Sequence, residues 1–254
     1  MTATMERLLI IPGAGLGSRL GAHTPKLLAL VNGRPMLDHL LALYAPVVQR
    51  VALVVHPSAR AAVARAVETA SRPVDIFVQE QPTGMLDAIF LARSAVEVAS
   101  PARIWITWCD QVAIHPLTAQ RLTEADRDDP LLAMPTCASV FPYVHLERDP
   151  AGRIIRVLHR REGDDMPASG ESDAGLFSLS REAYMGLLPE FAAAPLAGSA
   201  TGERNFLPFI PWVAARGSVE TFPCTEAAEA VGVNTPEDLA VAERTLRARE
   251  RENT

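Results

Sequence analysis

Short apolar runs alternate with segments of helical spacing through the first 110 residues, and no other feature constrains the fold as much. RLLII (7–11), RVALVV (50–55), VDIFV (74–78) and RIWITW (103–108) read as short strands buried on both faces. Between them, residues 36–44, 58–70 and 86–98 carry apolar side chains at helical spacing. Strand–helix–strand repeats of this kind specify a parallel sheet with helices on both faces. Right-handed crossovers then put ligands at the carboxyl ends of the strands. Chemistry is therefore expected in the loops after Ile11, Val78 and Trp108.

The second half is less regular. Residues 131–134, 140–146 and 154–158 read as strands, with a hairpin turn at 149–152 between the last two. Further strands are expected at 175–179 and 219–222, and helices from about Arg181 and over 204–215. The last helix is well marked: Thr235 is its N-cap, Pro236 its first residue, and Glu237 and Asp238 lie in its first turn. The expected fold is a single α/β domain with a Rossmann-like, mixed but mostly parallel sheet flanked by helices, and a smaller strand-rich lobe. The divisions fall at 1–129, 130–226 and 227–254.

The 254 residues are 48% apolar and 21% charged, with a net charge of −6, which excludes a disordered chain. The absence of a basic block argues against a nucleic-acid partner, and no apolar run approaches the ~18 residues of a membrane span. The N-terminus lacks the charged segment of a signal peptide. Cys109, Cys137 and Cys224 are odd in number and far apart, so neither a disulfide scaffold nor a zinc site is expected, and a reducing cytoplasm fits. Lys26 is the only lysine among 24 basic residues. A position that keeps an ammonium against such an arginine bias points to a need for a compact charge.

The first strand ends in PGAGLGSR (12–19), where glycines let backbone N–H groups turn toward an anion. Its spacing fits neither GxGxxG nor GxxxxGK[ST]; it reads GxGxGxR, followed by Pro25 and Lys26. An amide nest, a guanidinium and an ammonium together suit a triphosphate. Asp110, a lone carboxylate after the fourth strand, is costly to bury unpaired and suits a hard cation facing phosphates.

The stretch PGAGLGSRLGAHTPKLLALVNGRPMLDHLL closely resembles the signature of nucleoside triphosphate transferases that activate sugar phosphates. It is most similar to the uridylyltransferase portion of N-acetylglucosamine-1-phosphate uridylyltransferases. The resemblance implies that Pro12, Gly13, Ala14, Gly15, Gly17 and Ser18 bind the nucleotide, with Arg19 and Lys26 as catalytic residues on the phosphates. Gln81 and Gly84 resemble a base-reading loop, with Met85 in place of the usual threonine. Asp110, preceded here by Cys109 rather than glycine, and Asn234 would hold Mg²⁺. Tyr143, Glu171, Asp173, Gly175 and Asn205 fall where the family binds sugar, Asp173 replacing an asparagine.

The implied activity is Mg²⁺-dependent transfer of a nucleoside monophosphate, from UTP or dTTP, to a sugar 1-phosphate with release of pyrophosphate. The same phosphate chemistry would serve a cytidylyltransferase acting on phosphocholine or a polyol phosphate. A catalytically silent nucleotide-sugar sensor is the reading from another class, and Arg19, Lys26 and Asp110 argue against it. Members of the family are often homo-oligomers; the sequence points to no particular assembly.

Overall fold

The computed structural model describes residues 5–15, 25–194, 198 and 200–252. β1 (Arg7–Gly13) precedes a 3-10 turn at Lys26–Leu28 and a ribbon of β2 (Leu30–Val31) and β3 (Arg34–Pro35). α1 (Met36–Tyr44), β4 (Arg50–Val55), α2 (Arg60–Ala66), β5 (Val74–Val78), α3 (Met85–Leu91), α4 (Arg93–Ala99) and β6 (Arg103–Thr107) complete the alternating half. Then come α5 (Pro116–Ala125), β7 (Leu132–Val140), β8 (Val144–Arg148), β9 (Ile154–His159), β10 (Ser169–Asp173) and β11 (Leu176–Ser180). The chain continues through α6 (Leu188–Ala192), α7 (Phe209–Ala214), β12 (Val219–Pro223) and α8 (Pro236–Glu252).

The main sheet has eight strands in the order β10-β7-β11-β6-β1-β4-β5, with β12 also paired to β7. β5, β4, β1 and β6 are parallel, β11 turns antiparallel on β6, and β7 and β10 follow antiparallel. β8 and β9 form a separate antiparallel hairpin around the Asp149 turn, where Asp149 Oδ1 accepts from the backbone N–H of Ala151 at 3.0 Å and Arg153 at 2.9 Å. Period-two alternation splits β1 between two cores: Leu8 and Ile10 face one side of the sheet with α3 and α4, Leu9 and Ile11 the other with α1.

A buried polar knot ties the strands at the end of the sheet opposite Gly13. The Asp126 carboxylate accepts from Arg7 Nε at 2.8 Å, Trp105 Nε1 at 3.0 Å and Ser178 Oγ at 2.6 Å, and lies 3.0 Å from Arg103 Nε. Its two guanidinium partners offset the desolvation of an interior charge.

Several sequence expectations are corrected. The helix expected over 58–70 is shorter, and that expected over 86–98 breaks at Ala92 into α3 and α4. The helix expected over 204–215 starts only at Phe209, with Pro208 as its cap. The strand expected at 131–134 starts at Leu132 and continues to Val140. β10 has no apolar alternation and was not expected; it becomes a strand by pairing with β7. Cys137 and Cys224, expected to be unpaired, form a disulfide with their Cα atoms 5.4 Å apart. The reason is register: β12 runs parallel to β7 with Pro223 opposite Thr136, so the next residue on each strand meets its counterpart. No described helix is long and apolar enough to cross a membrane.

Candidate active site

β1 delivers Gly13 to the carboxyl edge of the sheet, where its missing side chain has a packing role. A Cβ there would stand 2.9 Å from Leu27 Cγ, so only glycine lets the fully buried Leu27 seat against the strand end. Seating Leu27 fixes the Lys26–Leu28 turn and aims the lysine across the edge. Lys26 Nζ donates to Asp110 Oδ2 at 2.5 Å and to Asn234 Oδ1 at 2.8 Å. Asp110 sits just beyond β6; Asn234 reaches it from a segment 124 residues later in the chain.

That segment is held from several directions. Val233 N–H donates to Asp110 O at 3.1 Å, and Asn234 Nδ2 donates to Asp110 Oδ2 at 3.1 Å and Gly232 O at 3.2 Å. Asn234 and Thr235 both give their N–H to Asp238 Oδ2, at 3.0 and 2.9 Å, while Thr235 Oγ1 accepts from Asp238 N–H at 3.2 Å. The expected N-cap of α8 is thus also the brace for Asn234. Farther along α8, Arg249 donates to Ala113 O at 2.7 Å and Ile114 O at 3.1 Å, pinning the helix to the loop after Asp110. Beside the lysine, burial pushes the free Cys109 thiol up to about 12, leaving it a neutral filler rather than a nucleophile.

The candidate base loop is built by a residue the sequence reading passed over. Gln79, buried at the end of β5, donates from Nε2 to Gly84 O at 3.0 Å, whereas Gln81 is exposed. Gly84 has φ +124°, and a Cβ on it would run into the backbone of Arg204, 2.9 Å from its carbonyl carbon. Arg204 clamps the loop through its N–H to Thr83 O at 2.9 Å and its carbonyl to Leu86 N–H at 3.0 Å, with its guanidinium on Asp87 at 2.6 Å.

In the second lobe the expected sugar residues divide into three groups. Tyr143 and Asn205 meet through His159, which was not anticipated: its ring is 5.2 Å from that of Tyr143, and its Nδ1 is 2.9 Å from Asn205 Nδ2. Glu171 is taken by Arg148 in a bidentate pair, both contacts at 2.7 Å, beside a surface hollow of about 610 Å³ that His145 and Ile155 also line. Arginine and hydrogen bonds hold the Glu171 carboxyl below its usual range although burial opposes this. Asp173 is buried, its Oδ1 accepting from Gly175 N–H at 2.7 Å, and desolvation raises it to about 6. Gly175 returns its carbonyl to Trp108 N–H and Thr107 Oγ1, each at 3.1 Å.

Pro12 and Gly13 lie in β1 with Ala14 and Gly15 just beyond, while Gly17, Ser18 and Arg19 lie outside the described residues. Lys26, Asp110 and Asn234 therefore form one cluster, and Gly84 and Asn205 are joined through Arg204.

The donor set of the first cluster fits a small hard cation. A carboxylate and an amide oxygen converge on one position, which the Lys26 ammonium takes here, and among the described residues no thiolate or imidazole stands with them. Two protein oxygens are also the sparse set with which Mg²⁺ is held when phosphates and water supply the rest.

An ammonium and paired hard oxygens thus lie together at the carboxyl edge of a mostly parallel sheet, the edge where open α/β sheets bind ligands. The chain belongs to the family of the MobA-like NTP transferase domain, whose model matches residues 9–173. It is 31% identical over 263 residues to the bifunctional protein GlmU of Alkalilimnicola ehrlichii, covering 98% of this chain and 53% of that protein. Against the bifunctional protein GlmU of Azorhizobium caulinodans it is 28% identical over 252 residues, covering 95% and 53%. The chain spans about half the length of these curated relatives. The crystal structure of HddC from Yersinia pseudotuberculosis superposes with a TM-score of 0.66 at 20% identity, over 94% of this chain and 99% of that one, and shares the fold.

Proposed function

We propose that the protein transfers a nucleoside monophosphate from a nucleoside triphosphate, UTP or dTTP ahead of CTP, to a sugar 1-phosphate. The observation that carries this reading is the convergence of the Asp110 and Asn234 oxygens on one cation position, taken by the Lys26 ammonium. A phosphate oxygen of the acceptor forms a bond to the α-phosphorus, the bond from that phosphorus to the bridging oxygen breaks, and pyrophosphate leaves. The acceptor phosphate is already an anionic nucleophile, so the reaction needs no side-chain base.

Catalysis is then positioning and charge neutralisation. Lys26 supplies a compact positive charge between the α-phosphate and the incoming phosphate. Arg19, on the resemblance of its motif, holds the phosphates that depart. Asp110 and Asn234 hold Mg²⁺, which when bound neutralises and orients phosphate oxygens. The Gly84 loop, braced by Gln79 and Arg204, offers backbone groups to the base.

Pyrophosphate release over a grid of UTP, dTTP, CTP and GTP against glucose 1-phosphate, N-acetylglucosamine 1-phosphate and phosphocholine tests the reading. Turnover with a uridine or thymidine triphosphate and a sugar phosphate supports it. Turnover confined to CTP and phosphocholine overturns the substrate assignment.

A further inference from the structure

Asn205 and His159 fix each other's polarity. Asn205 Oδ1 is committed to the N–H of Leu207 at 3.1 Å, so the amide turns its Nδ2 toward His159, 2.9 Å from Nδ1. An NH₂ group can only donate, so Nδ1 must accept, and the single proton of a neutral imidazole then resides on Nε2. The ring cannot swing away. The edge of Tyr143 packs against it, and its own backbone N–H is held by Asp164 Oδ2 at 2.7 Å. The residue is only partly buried, and no described residue pairs with Nε2. The segment that carries Asn205 also carries Arg204, the clamp on Gly84, so His159 is tied to the segment that holds the candidate base loop.

We infer that His159 is a specificity-determining residue of the acceptor site, presenting Nε2–H as a fixed donor to a hydroxyl or carbonyl oxygen of the acceptor's carbohydrate portion. The inference rests on the transferase reading above and extends it to a named contact. Charged groups around the ring come from its own turn, Arg161, Glu162 and Asp164, and from the facing loop, Glu203. Burial, the largest influence, holds the imidazole below its usual range, so it stays neutral at ordinary pH. Protonation at lower pH would set an Nδ1–H against the Asn205 amide N–H and break the lock.

Two substitutions separate the roles of the two ring nitrogens. His159→Asn keeps an acceptor near the Nδ1 position for Asn205 but lacks a donor at Nε2; His159→Gln keeps a donor at Nε2 and loses the partner for Asn205. With UTP and the best sugar 1-phosphate of the grid, His159→Asn is expected to raise the acceptor KM by about tenfold or more and leave the nucleotide KM unchanged. His159→Gln should stay within about threefold of wild type. The reverse ranking would show that the ring acts only by holding Asn205, and would overturn the role. Nitrogen NMR of the ligand-free protein gives a readout independent of turnover: an Nε2–H tautomer is expected, and an Nδ1–H tautomer overturns the inference. A wild type inactive over the whole grid overturns the transferase reading and the role together. An active wild type with an indifferent His159→Asn overturns the role alone.

Discussion

Asp173→Asn separates a charge cost from a recognition role. Desolvation raises the buried Asp173 from 3.8 to about 6, with the Gly175 N–H pulling the other way. The folded protein therefore favours the protonated acid more than the unfolded chain does. Its contribution to stability is fully present below the unfolded pKa of 3.8 and is lost as pH rises through about 6. A shift of about two units corresponds to roughly 3 kcal/mol, felt fully at about pH 8. Asparagine can keep the acceptor for Gly175 but adds an amide N–H that costs about 1 kcal/mol if unpaired.

The variant should then be more stable than wild type by about 2 kcal/mol at about pH 8, or roughly 4–8 °C in Tm. At about pH 4 the advantage should vanish. Thermal melts of the ligand-free proteins across this range test it. A variant less stable than wild type at the alkaline end, or one with an unchanged pH slope, would refute the reasoning. The same variant should shift kcat/KM toward N-acetylglucosamine 1-phosphate over glucose 1-phosphate by about tenfold if the carboxylate faces the substrate, because a carboxylate and an N-acetyl carbonyl are both acceptors.

Lys26→Arg should lower kcat by about a hundredfold with a far smaller change in nucleotide KM, since a planar fork cannot occupy a point between two phosphates; steady-state kinetics with turnover like wild type would remove Lys26 from the mechanism. Asp126→Asn should destabilise the fold by about 3–5 kcal/mol, because Arg7 and Arg103 lose their buried counter-charge; chemical denaturation measures it, and a loss near zero would contradict the knot's role. Reducing the Cys137–Cys224 bond, which spans 87 residues, should lower stability by about 2–4 kcal/mol, seen as a Tm shift with dithiothreitol that a Cys137→Ser, Cys224→Ser double variant no longer shows.

What could be read from the chain was what local patterns carry. Arg7–Gly13 and Arg50–Val55 are buried on both faces and so wear their apolar character continuously, and the Thr235 cap announces its helix. Lys26, Asp110 and Asn234 each sit in a short motif at the end of an element, and the structure brings them together. Gln79 and His159 were missed because their meaning is tertiary: one acts through the Gly84 carbonyl, the other through an amide 46 residues away. Glu171 sits in a motif that resembles a sugar-binding segment, yet Arg148, 23 residues earlier, claims its carboxylate. The disulfide depends on the parallel register of two strands that neither cysteine's neighbours reveal.

The most direct test follows the α-phosphorus. With UTP labelled at that atom and a sugar 1-phosphate, the account predicts label in a sugar-linked diphosphate product, one unlabelled pyrophosphate per product, dependence on a divalent cation, and a loss of about a hundredfold or more in Asp110→Asn. Pyrophosphate released without labelled sugar product, or an Asp110→Asn variant as active as wild type, would contradict it.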